Sequence, residues 1–181
     1  MTSPVALTGT PGTGKSAVAR SLAADLDSVE VGDLAVECGC GRRIGRGFEV
    51  DLKALRTAVR GRRALAGVDL VVGHLAHLLP LRDVVVLRCH PEELLQRLRR
   101  SRRGSSTERY QNYVAEATDA ILWEAVGPGR RVWEIDTTGR SVGEVARAVA
   151  GRWRNRGPPR YGRVDWLADS VVTAHLLRPR P

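Results

Sequence analysis

The chain has 181 residues, which suits a single domain with a sizeable core, and it contains no apolar run of about 18 residues that could span a membrane. Its three cysteines are too few, and odd in number, for a disulfide-rich secreted scaffold, and the N-terminus lacks the pattern of a secretory signal. We therefore expect a cytoplasmic protein with no membrane association.

The net charge of +9 comes almost wholly from arginine, since lysine occurs only at Lys15 and Lys53. Arginine matches the geometry of phosphate groups, which favours an RNA-rich partner or a polyphosphate substrate. A GC-rich genome that encodes basic residues as arginine and scatters them over solvated surfaces explains the same excess equally well. Both interpretations stay open, because net charge bears on solubility and non-specific binding rather than on the fold.

The N-terminal stretch predicts a strand, a glycine-rich loop and a helix in direct succession. The apolar residues 4–7 precede the sequence Gly-Thr-Pro-Gly-Thr-Gly-Lys-Ser at 9–16, and residues 17–24 follow with a helical composition. This order and spacing are those of a P-loop, whose glycines let successive backbone N–H groups turn toward one anion. We expect Lys15 to reach the β- and γ-phosphates and the Ser16 hydroxyl to ligate Mg²⁺. The loop therefore predicts a nucleoside triphosphate site.

The rest of the chain alternates predicted strands with predicted helices. The strands are expected at 28–31, 68–72, 83–88 and 132–136, and the helices after the loop at 92–100, from 107 to 126 and at 141–153. This alternation predicts an α/β fold of the P-loop NTPase type, in which helices cover both faces of a parallel sheet. A nucleotide would then lie at the carboxyl ends of the strands.

Two segments interrupt this alternation, and we expect both to be mobile. They belong to a single P-loop kinase domain that we predict over residues 1–181. Residues 30–62 form an insertion that we expect to close over the nucleotide, and residues 38–48 within it hold so many glycines that we expect an irregular basic loop there. Residues 101–112 form a lid at an arginine-rich helix end. Such a lid would bring cations over a transferred phosphoryl group and exclude water. A solvated helix end is the alternative, because a helix C-terminus favours arginine anyway.

Beyond the loop, short motifs follow one another along nearly the whole chain, from residue 2 to residue 168. They are Val31-Gly32-Asp33-Leu34-Ala35, Val50-Asp51, Gly73-His74-Leu75-Ala76-His77-Leu78, Leu87-Arg88-Cys89, Arg97-Leu98, Arg103-Gly104, Asn112, Ala115-Glu116, Ile135-Asp136-Thr137-Thr138 and Gly162-Arg163-Val164-Asp165-Trp166. Together with the loop, this ordered set resembles the archaeal and nuclear adenylate kinase family, the type known as adenylate kinase isoenzyme 6 or coilin-interacting nuclear ATPase.

The resemblance implies a nucleoside monophosphate kinase that transfers the γ-phosphoryl group of ATP, with Mg²⁺, to AMP or a related monophosphate, and that hydrolyses ATP more slowly. It also implies a role in maturation of the small ribosomal subunit, with a small-subunit ribosomal protein and rRNA as partners. The alternative function is a nucleotide-gated ATPase that acts as an assembly factor and has little kinase activity. A small-metabolite kinase is a third alternative. Guanine specificity has no support, because no Asn-Lys-x-Asp stretch occurs.

The resemblance also assigns roles to individual residues. For catalysis it implies Lys15, His74, Arg97 and Arg103, of which the two arginines would neutralise the phosphoryl group during transfer. For His74, a packed and hydrogen-bonded histidine at a strand end is an equally good interpretation. For the phosphates it implies Gly12, Gly14, Lys15 and Ser16, with backbone from Thr13 and Ala17, and with Arg103 at the transferred group. The turn with Asp136 and Thr138 would lie at the adenine base. The insertion, with Asp33 and Asp51, would hold the monophosphate, and Ser16 would hold the metal.

One position departs from the resemblance. The family has an acidic residue on the magnesium side, two positions before the first histidine of His-x-x-His, and this chain has Val72 there. Asp69 lies earlier on the same strand, so we expect its side chain on the opposite face. Either magnesium is held by Ser16, phosphates and water alone, or activity is reduced.

A zinc site is a further alternative for this part of the chain. A structural zinc ion needs four ligands in a closed tetrahedral arrangement, and a His-x-x-His pair at a strand end need not converge on one point. The four candidate ligands are Cys38, Cys40, His74 and His77.

Overall fold

The computed structural model describes residues 3–45, 47–61, 63–102 and 104–178. The strands are β1 (Val5–Thr8), β2 (Ser28–Glu30), β3 (Gly41–Ile44), β4 (Gly47–Val50), β5 (Leu70–Val72), β6 (Asp83–Arg88) and β7 (Arg131–Asp136). The helices are α1 (Lys15–Ser21), α2 (Val31–Glu37), α3 (Leu52–Arg60), α4 (Pro91–Arg100), α5 (Ser106–Ala117), α6 (Ala120–Ala125), α7 (Val142–Arg154) and α8 (Ser170–Leu176).

Five of the strands form one parallel sheet in the order β2-β5-β1-β6-β7. Strands β5 and β6 are buried along their whole length, as expected for parallel strands that are covered on both faces. Helices pack on both faces, which confirms the predicted α/β fold of the P-loop NTPase type. Within the described ranges, no helix combines the length and the apolar character needed to cross a membrane.

Side-chain alternation along the strands divides the core into two layers. Leu87 of β6 packs in the layer of α1 and α7, whereas Val86 of the same strand packs in the layer of α2, α3 and α6. Burial of one apolar side chain of this kind stabilises the folded state by about 1.5–3 kcal/mol. Because the five strands run parallel, their carboxyl ends meet at one edge of the sheet, and the loops that follow them are gathered there.

The expectation of an irregular loop at 38–48 is wrong for most of that segment, because the antiparallel hairpin β3–β4 occupies it. Glycine serves close packing here: a Cβ at Gly41 would lie 2.9 Å from the Cβ of Ala35 on α2. Across the hairpin Arg43 lies opposite Phe48, with its guanidinium 4.7 Å from the centre of the ring. The insertion therefore presents a formed, basic hairpin.

The predicted helix from 107 to 126 is two helices, α5 and α6. The break falls at Asp119, whose φ of 57° is left-handed and whose carboxylate accepts a hydrogen bond from the buried Arg88. Helix α5 is capped by Ser105 in a capping box with Glu108. Helix α8, close to the C-terminal end, has no counterpart in the sequence prediction.

Candidate functional site

The loop between β1 and α1 has the backbone of a P-loop. Gly9, Gly12 and Gly14 take positive φ values of 138°, 99° and 98°. A Cβ at Gly9 would lie 2.3 Å from the carbonyl oxygen of Leu87 on β6, so only glycine fits there. A Cβ at Gly14 would meet no atom within 4 Å and would enter open space directly before α1. The loop thus leaves a concave surface at the first turn of α1, where the N–H groups have no acceptors within the helix.

A cavity of about 360 Å³, here named the loop cavity, opens over this surface. Residues from three other parts of the fold also line it: Glu30 at the end of β2, His74 after β5 and Arg97 on α4. Its lining residues are Pro11, Gly12, Gly14, Lys15, Ser16, Ala17, Arg20, Glu30, Gly73, His74, Arg97 and Ser101. The structure therefore brings most of the predicted phosphate-binding residues together with the predicted catalytic His74 and Arg97.

The Lys15 side chain is folded over the loop, with only 8% of the residue exposed. Its ammonium group donates to the carbonyl oxygen of Gly9 at 2.7 Å and to that of Thr10 at 3.0 Å. These carbonyl groups offset part of the cost of burying the charge. The loop thus fixes a positive charge at the floor of the loop cavity.

The two histidines after β5 have different surroundings. His74 is exposed to the loop cavity, where partial loss of hydration and then the positive charge of Lys15 lower its pKa. His77 is buried, with Nδ1 2.9 Å from the hydroxyl of Thr8 and Nε2 2.9 Å from the carboxylate of Glu124, and burial lowers its pKa too. His74 is therefore a neutral side chain that faces the site, whereas His77 is a packed histidine at the strand end.

Arg97 lines the loop cavity and also a second cavity of about 360 Å³, here named the α7 cavity. Its guanidinium donates to the carboxylate of Glu93 at 2.6 Å and to the hydroxyl and carbonyl oxygens of Thr137 at 3.1 and 2.9 Å. The lining of the α7 cavity is Gly12, Thr13, Gly14, Val18, Arg97, Thr137, Arg140, Ser141, Val142 and Val145. This apolar wall on α7, next to the cationic loop, suits a flat ring that is attached to an anionic chain.

The predicted nucleotide-binding residues Asp136 and Thr138 lie outside the linings of both cavities. The Asp136 carboxylate accepts from the backbone nitrogen and the hydroxyl of Thr138 at 2.9 and 2.6 Å. The Thr138 hydroxyl accepts from the backbone nitrogen of His90 at 2.8 Å. The residue between them, Thr137, lines the α7 cavity. The predicted turn therefore borders the site, but it does so through Thr137.

The predicted acceptor residues Asp33 and Asp51 also lie outside these linings. Asp33 forms an ion pair with Arg43 at 3.1 Å, and Asp51 caps α3 by accepting from the backbone nitrogen of Ala54 at 2.9 Å. Both residues belong to the insertion, and their contact with an acceptor stays a prediction. The predicted catalytic Arg103 lies outside the described residues.

Strand β5 supplies no acid to the loop cavity. Val72 is buried in the core, and Asp69 lies at the opposite end of the strand, where its carboxylate accepts from the backbone nitrogen of Asp27 at 3.0 Å. Sequence reasoning missed Glu30, which is the one carboxylate among the described residues that line the loop cavity. Its position near the end of a predicted strand could have indicated it, because the carboxyl ends of neighbouring parallel strands meet at one edge of the sheet.

A buried polar network behind the loop was also missed. The Glu116 carboxylate is 2% exposed and accepts hydrogen bonds from the Thr10 hydroxyl of the loop, from Arg88 at 2.8 Å and from the indole of Trp166 at 3.3 Å. Arg88 also donates to Glu134 at 2.6 Å. The network joins the loop to β6, α5, β7 and the segment near the C-terminal end.

The zinc alternative has no support in the structure. Cys38 and Cys40 pack against the core layer of α2, α3 and α6, and both ring nitrogens of His77 are engaged elsewhere. Across the described part of the chain, no group of three or more His, Cys, Asp and Glu side chains is placed to hold a metal ion.

The residues of the loop cavity do fit a magnesium-bound triphosphate. The open space at Gly14 leaves room for phosphate groups, and Lys15 supplies positive charge beside them. The Ser16 hydroxyl lines the same cavity, and no side-chain hydrogen bond engages it among the residues that the structure describes. A hydroxyl in this position is the usual P-loop ligand of Mg²⁺.

Comparisons with known proteins identify the family. The family described as AAA domain matches residues 5–119. A protein from Pyrococcus abyssi named "Putative adenylate kinase" is 40% identical over 174 residues, which cover 93% of this chain and 94% of that protein. One of the same name from Halobacterium salinarum is 43% identical over 169 residues, covering 90% and 96%. Among solved structures, a sugar kinase from Janibacter sp. HTCC2649 superposes with a TM-score of 0.53 and is 18% identical in sequence. The match covers 89% of this chain and 100% of that one, and it shows a shared fold. The resemblance to an adenylate kinase-like family is thereby confirmed, and the chain belongs to that family, with an AAA domain over residues 5–119.

Proposed function

We propose that this protein is a nucleoside monophosphate kinase that transfers the γ-phosphoryl group of ATP to AMP or a related monophosphate. One observation carries the proposal: the P-loop, His74 and Arg97 converge on a single cavity. Two relatives that carry the name "Putative adenylate kinase", which align with 93% and 96% of the chain, support it.

ATP would bind with its phosphates over residues 9–16 and its adenosine in the α7 cavity. Lys15 would stabilise negative charge on the β- and γ-phosphate oxygens, and Gly12, Gly14 and Ala17 would line the phosphate path. The Ser16 hydroxyl would hold Mg²⁺. When bound, the ion would neutralise negative charge on the phosphates.

The side chains around the transferred group have complementary roles. A neutral His74 presents one N–H donor and one nitrogen acceptor, so it can orient either a phosphate oxygen of the acceptor or a water molecule. Arg97 and, from the lid, Arg103 would stabilise the charge that develops during transfer. An arginine in such a position contributes about 10³–10⁵ in rate. Slow ATP hydrolysis follows when water takes the place of the acceptor.

The acceptor would bind against the insertion at 30–62, with Asp33 and Asp51 beside it. The hairpin contributes an arginine stacked on an aromatic ring, which is a surface suited to a nucleoside monophosphate. The insertion and the lid at 101–112 would close over one P-loop kinase domain that spans residues 1–181.

The dependence of ADP formation on AMP tests this proposal. A monophosphate kinase should form ADP from ATP far faster when AMP is present, with about two ADP per ATP consumed, because both products of the transfer are ADP. Equal rates of ADP formation with and without AMP would contradict the transferase and favour the ATPase. Faster turnover with small-metabolite acceptors than with AMP would favour a small-metabolite kinase.

A second candidate function is a nucleotide-gated ATPase of the isoenzyme 6 type that assists maturation of the small ribosomal subunit. The buried network favours it, since Thr10 of the loop is joined through Glu116 to Trp166 near the C-terminal end. Nucleotide occupancy can thereby alter a distant surface, and the net charge of +9 is compatible with rRNA and a small-subunit ribosomal protein as partners. Co-sedimentation with purified small ribosomal subunits tests it: binding should differ between ATP and ADP, and equal or absent binding would contradict it.

A further inference from the structure

Glu30 is the one acidic residue among the described residues that line the loop cavity. We propose that this carboxylate holds Mg²⁺ through the waters bound to the ion, while Ser16 ligates the ion directly. P-loop enzymes generally pair the loop hydroxyl with an acid from a neighbouring strand. This inference rests on the proposed function, because it requires a magnesium–nucleotide complex on the loop.

The register of the sheet places Glu30 on the correct face. Strands β2 and β5 pair in parallel, and Glu30 is the direct neighbour of Val72. Directly paired residues on neighbouring strands point to the same face, and such strands lie about 4.8 Å apart. Val72 packs in the layer that contains Val18 of α1. Glu30 therefore faces α1 as well. It lies on β2, which is one strand farther from β1 than Val72 on β5.

No residue that the structure describes engages the Glu30 carboxylate. The residue precedes α2 with an extended backbone (φ −74°, ψ 140°), but its side chain makes no capping hydrogen bond. Within the described part of the chain no hydrogen bond or ion pair reaches this carboxylate, whereas nearby Asp33 is paired with Arg43 and Glu93 with Arg97. A half-buried carboxylate of this kind is placed to accept hydrogen bonds from a ligand in the cavity.

A water-mediated contact suits this position. Mg²⁺ loses its waters reluctantly and is usually held by one or two protein groups together with substrate phosphates. A glutamate side chain and one water together span the additional strand spacing. The charged side chains that otherwise line the cavity are Lys15, Arg20 and Arg97, all cationic, so they attract phosphate and repel a metal ion. Glu30 therefore supplies the attraction for a cation that the rest of the lining lacks.

Metal-dependent nucleotide binding tests the inference. The dissociation constant of the non-hydrolysable analogue AMP-PNP is measured by calorimetry with Mg²⁺ and with EDTA, and the ratio of the two constants defines the metal coupling. Outer-shell partners of a metal typically contribute 10- to 100-fold in affinity, so Glu30→Gln should lower the coupling by about 10- to 100-fold. Binding of metal-free AMP-PNP should be unchanged or tighter, because a negative charge has left the phosphate site. Glu37→Gln, the same change at the far end of α2 and outside the cavity lining, is the matched control and should retain the coupling.

Each outcome separates the inference from the proposed function. Normal coupling in Glu30→Gln, alongside normal coupling in the wild type, would overturn the inference and leave the proposed function intact. Arg20→Gln distinguishes the metal from an ion pair with Arg20 on α1. If Arg20→Gln lowers the coupling as much as Glu30→Gln does, Glu30 acts by pairing with Arg20 and the inference is wrong. A wild-type protein that binds AMP-PNP in neither condition would contradict the proposed function itself, and the inference with it.

Discussion

The buried Glu116 offers a sharp test of how the P-loop is held in place. Its carboxylate is 2% exposed, and the groups that donate to it are the Thr10 hydroxyl, Arg88 Nε, the Cys89 backbone nitrogen and Trp166 Nε1. Thr10 belongs to the loop, whereas Trp166 belongs to the segment near the C-terminal end. Glu116→Ala therefore removes the common acceptor of several buried donors at once.

The expected cost follows from this geometry. Removing one partner of a buried ion pair costs about 3–5 kcal/mol, and we expect Glu116→Ala to lower the free energy of unfolding by that amount. For a domain of this size each kcal/mol shifts Tm by about 2–4 °C, so Tm should fall by about 6–20 °C. Glu116→Gln should cost less, because its amide oxygen can accept from Arg88 and Trp166 while its amide nitrogen donates to the Thr10 hydroxyl.

Thermal and urea unfolding followed by circular dichroism measure these differences. Glu37→Ala changes an exposed acid and serves as the control, with an expected effect within about 0.5 kcal/mol. Affinity for AMP-PNP should also fall in Glu116→Ala, because Thr10 loses its anchor, and it should fall less in Glu116→Gln. Losses below about 1 kcal/mol in both variants, or equal losses in the two, would refute the assigned role of the network.

Three further predictions concern the site itself. Lys15→Ala should lower kcat by about 10²–10³-fold, because loss of a preorganised charge costs on the order of 3 kcal/mol in the transition state; steady-state ADP formation measures this, and a wild-type rate would refute the role of Lys15. Arg97→Ala should lower kcat more than it weakens AMP-PNP binding, and the reverse pattern would make Arg97 a binding residue only. The pKa values of His74 and His77 are lowered from 6.5, so near that pH the unfolded chain binds protons that the folded chain does not. The free energy of unfolding should therefore decrease as the pH drops below 6.5, and the contribution of these histidines should be retained above it. His77→Gln should reduce the slope of the unfolding free energy against pH, and an unchanged slope in urea titrations would contradict this.

The loop and the core strands could be predicted from the sequence because local chemistry determines them. The glycines at 9, 12 and 14 are required by positive φ values and close contacts, and the lysine–serine pair that follows has one common use. Strand β6 is a short, apolar, β-branched run, which is the composition of a strand covered on both faces. The loop was consequently expected at the carboxyl edge of the sheet, whereas the roles of His74 and Arg97 were implied by the family resemblance. The structure brings the loop and both side chains to one cavity.

Other features depend on contacts between distant parts of the chain. Nothing local shows that Glu30 lies beside Val72, because that pairing depends on the register of β2 against β5. The hairpin was missed because the glycine at 41 permits close packing on α2 rather than disorder. The break at Asp119 was missed because the partner that stabilises it, Arg88, lies on β6.

A crystal structure with diadenosine pentaphosphate, a dinucleotide that joins the two proposed substrates, tests the central claim most directly. We predict that its phosphate chain lies along residues 9–16 against Lys15, with one adenosine in the α7 cavity beside Arg97 and the other against the insertion. Phosphates bound away from the loop, or an Arg97 guanidinium turned away from them, would contradict the account.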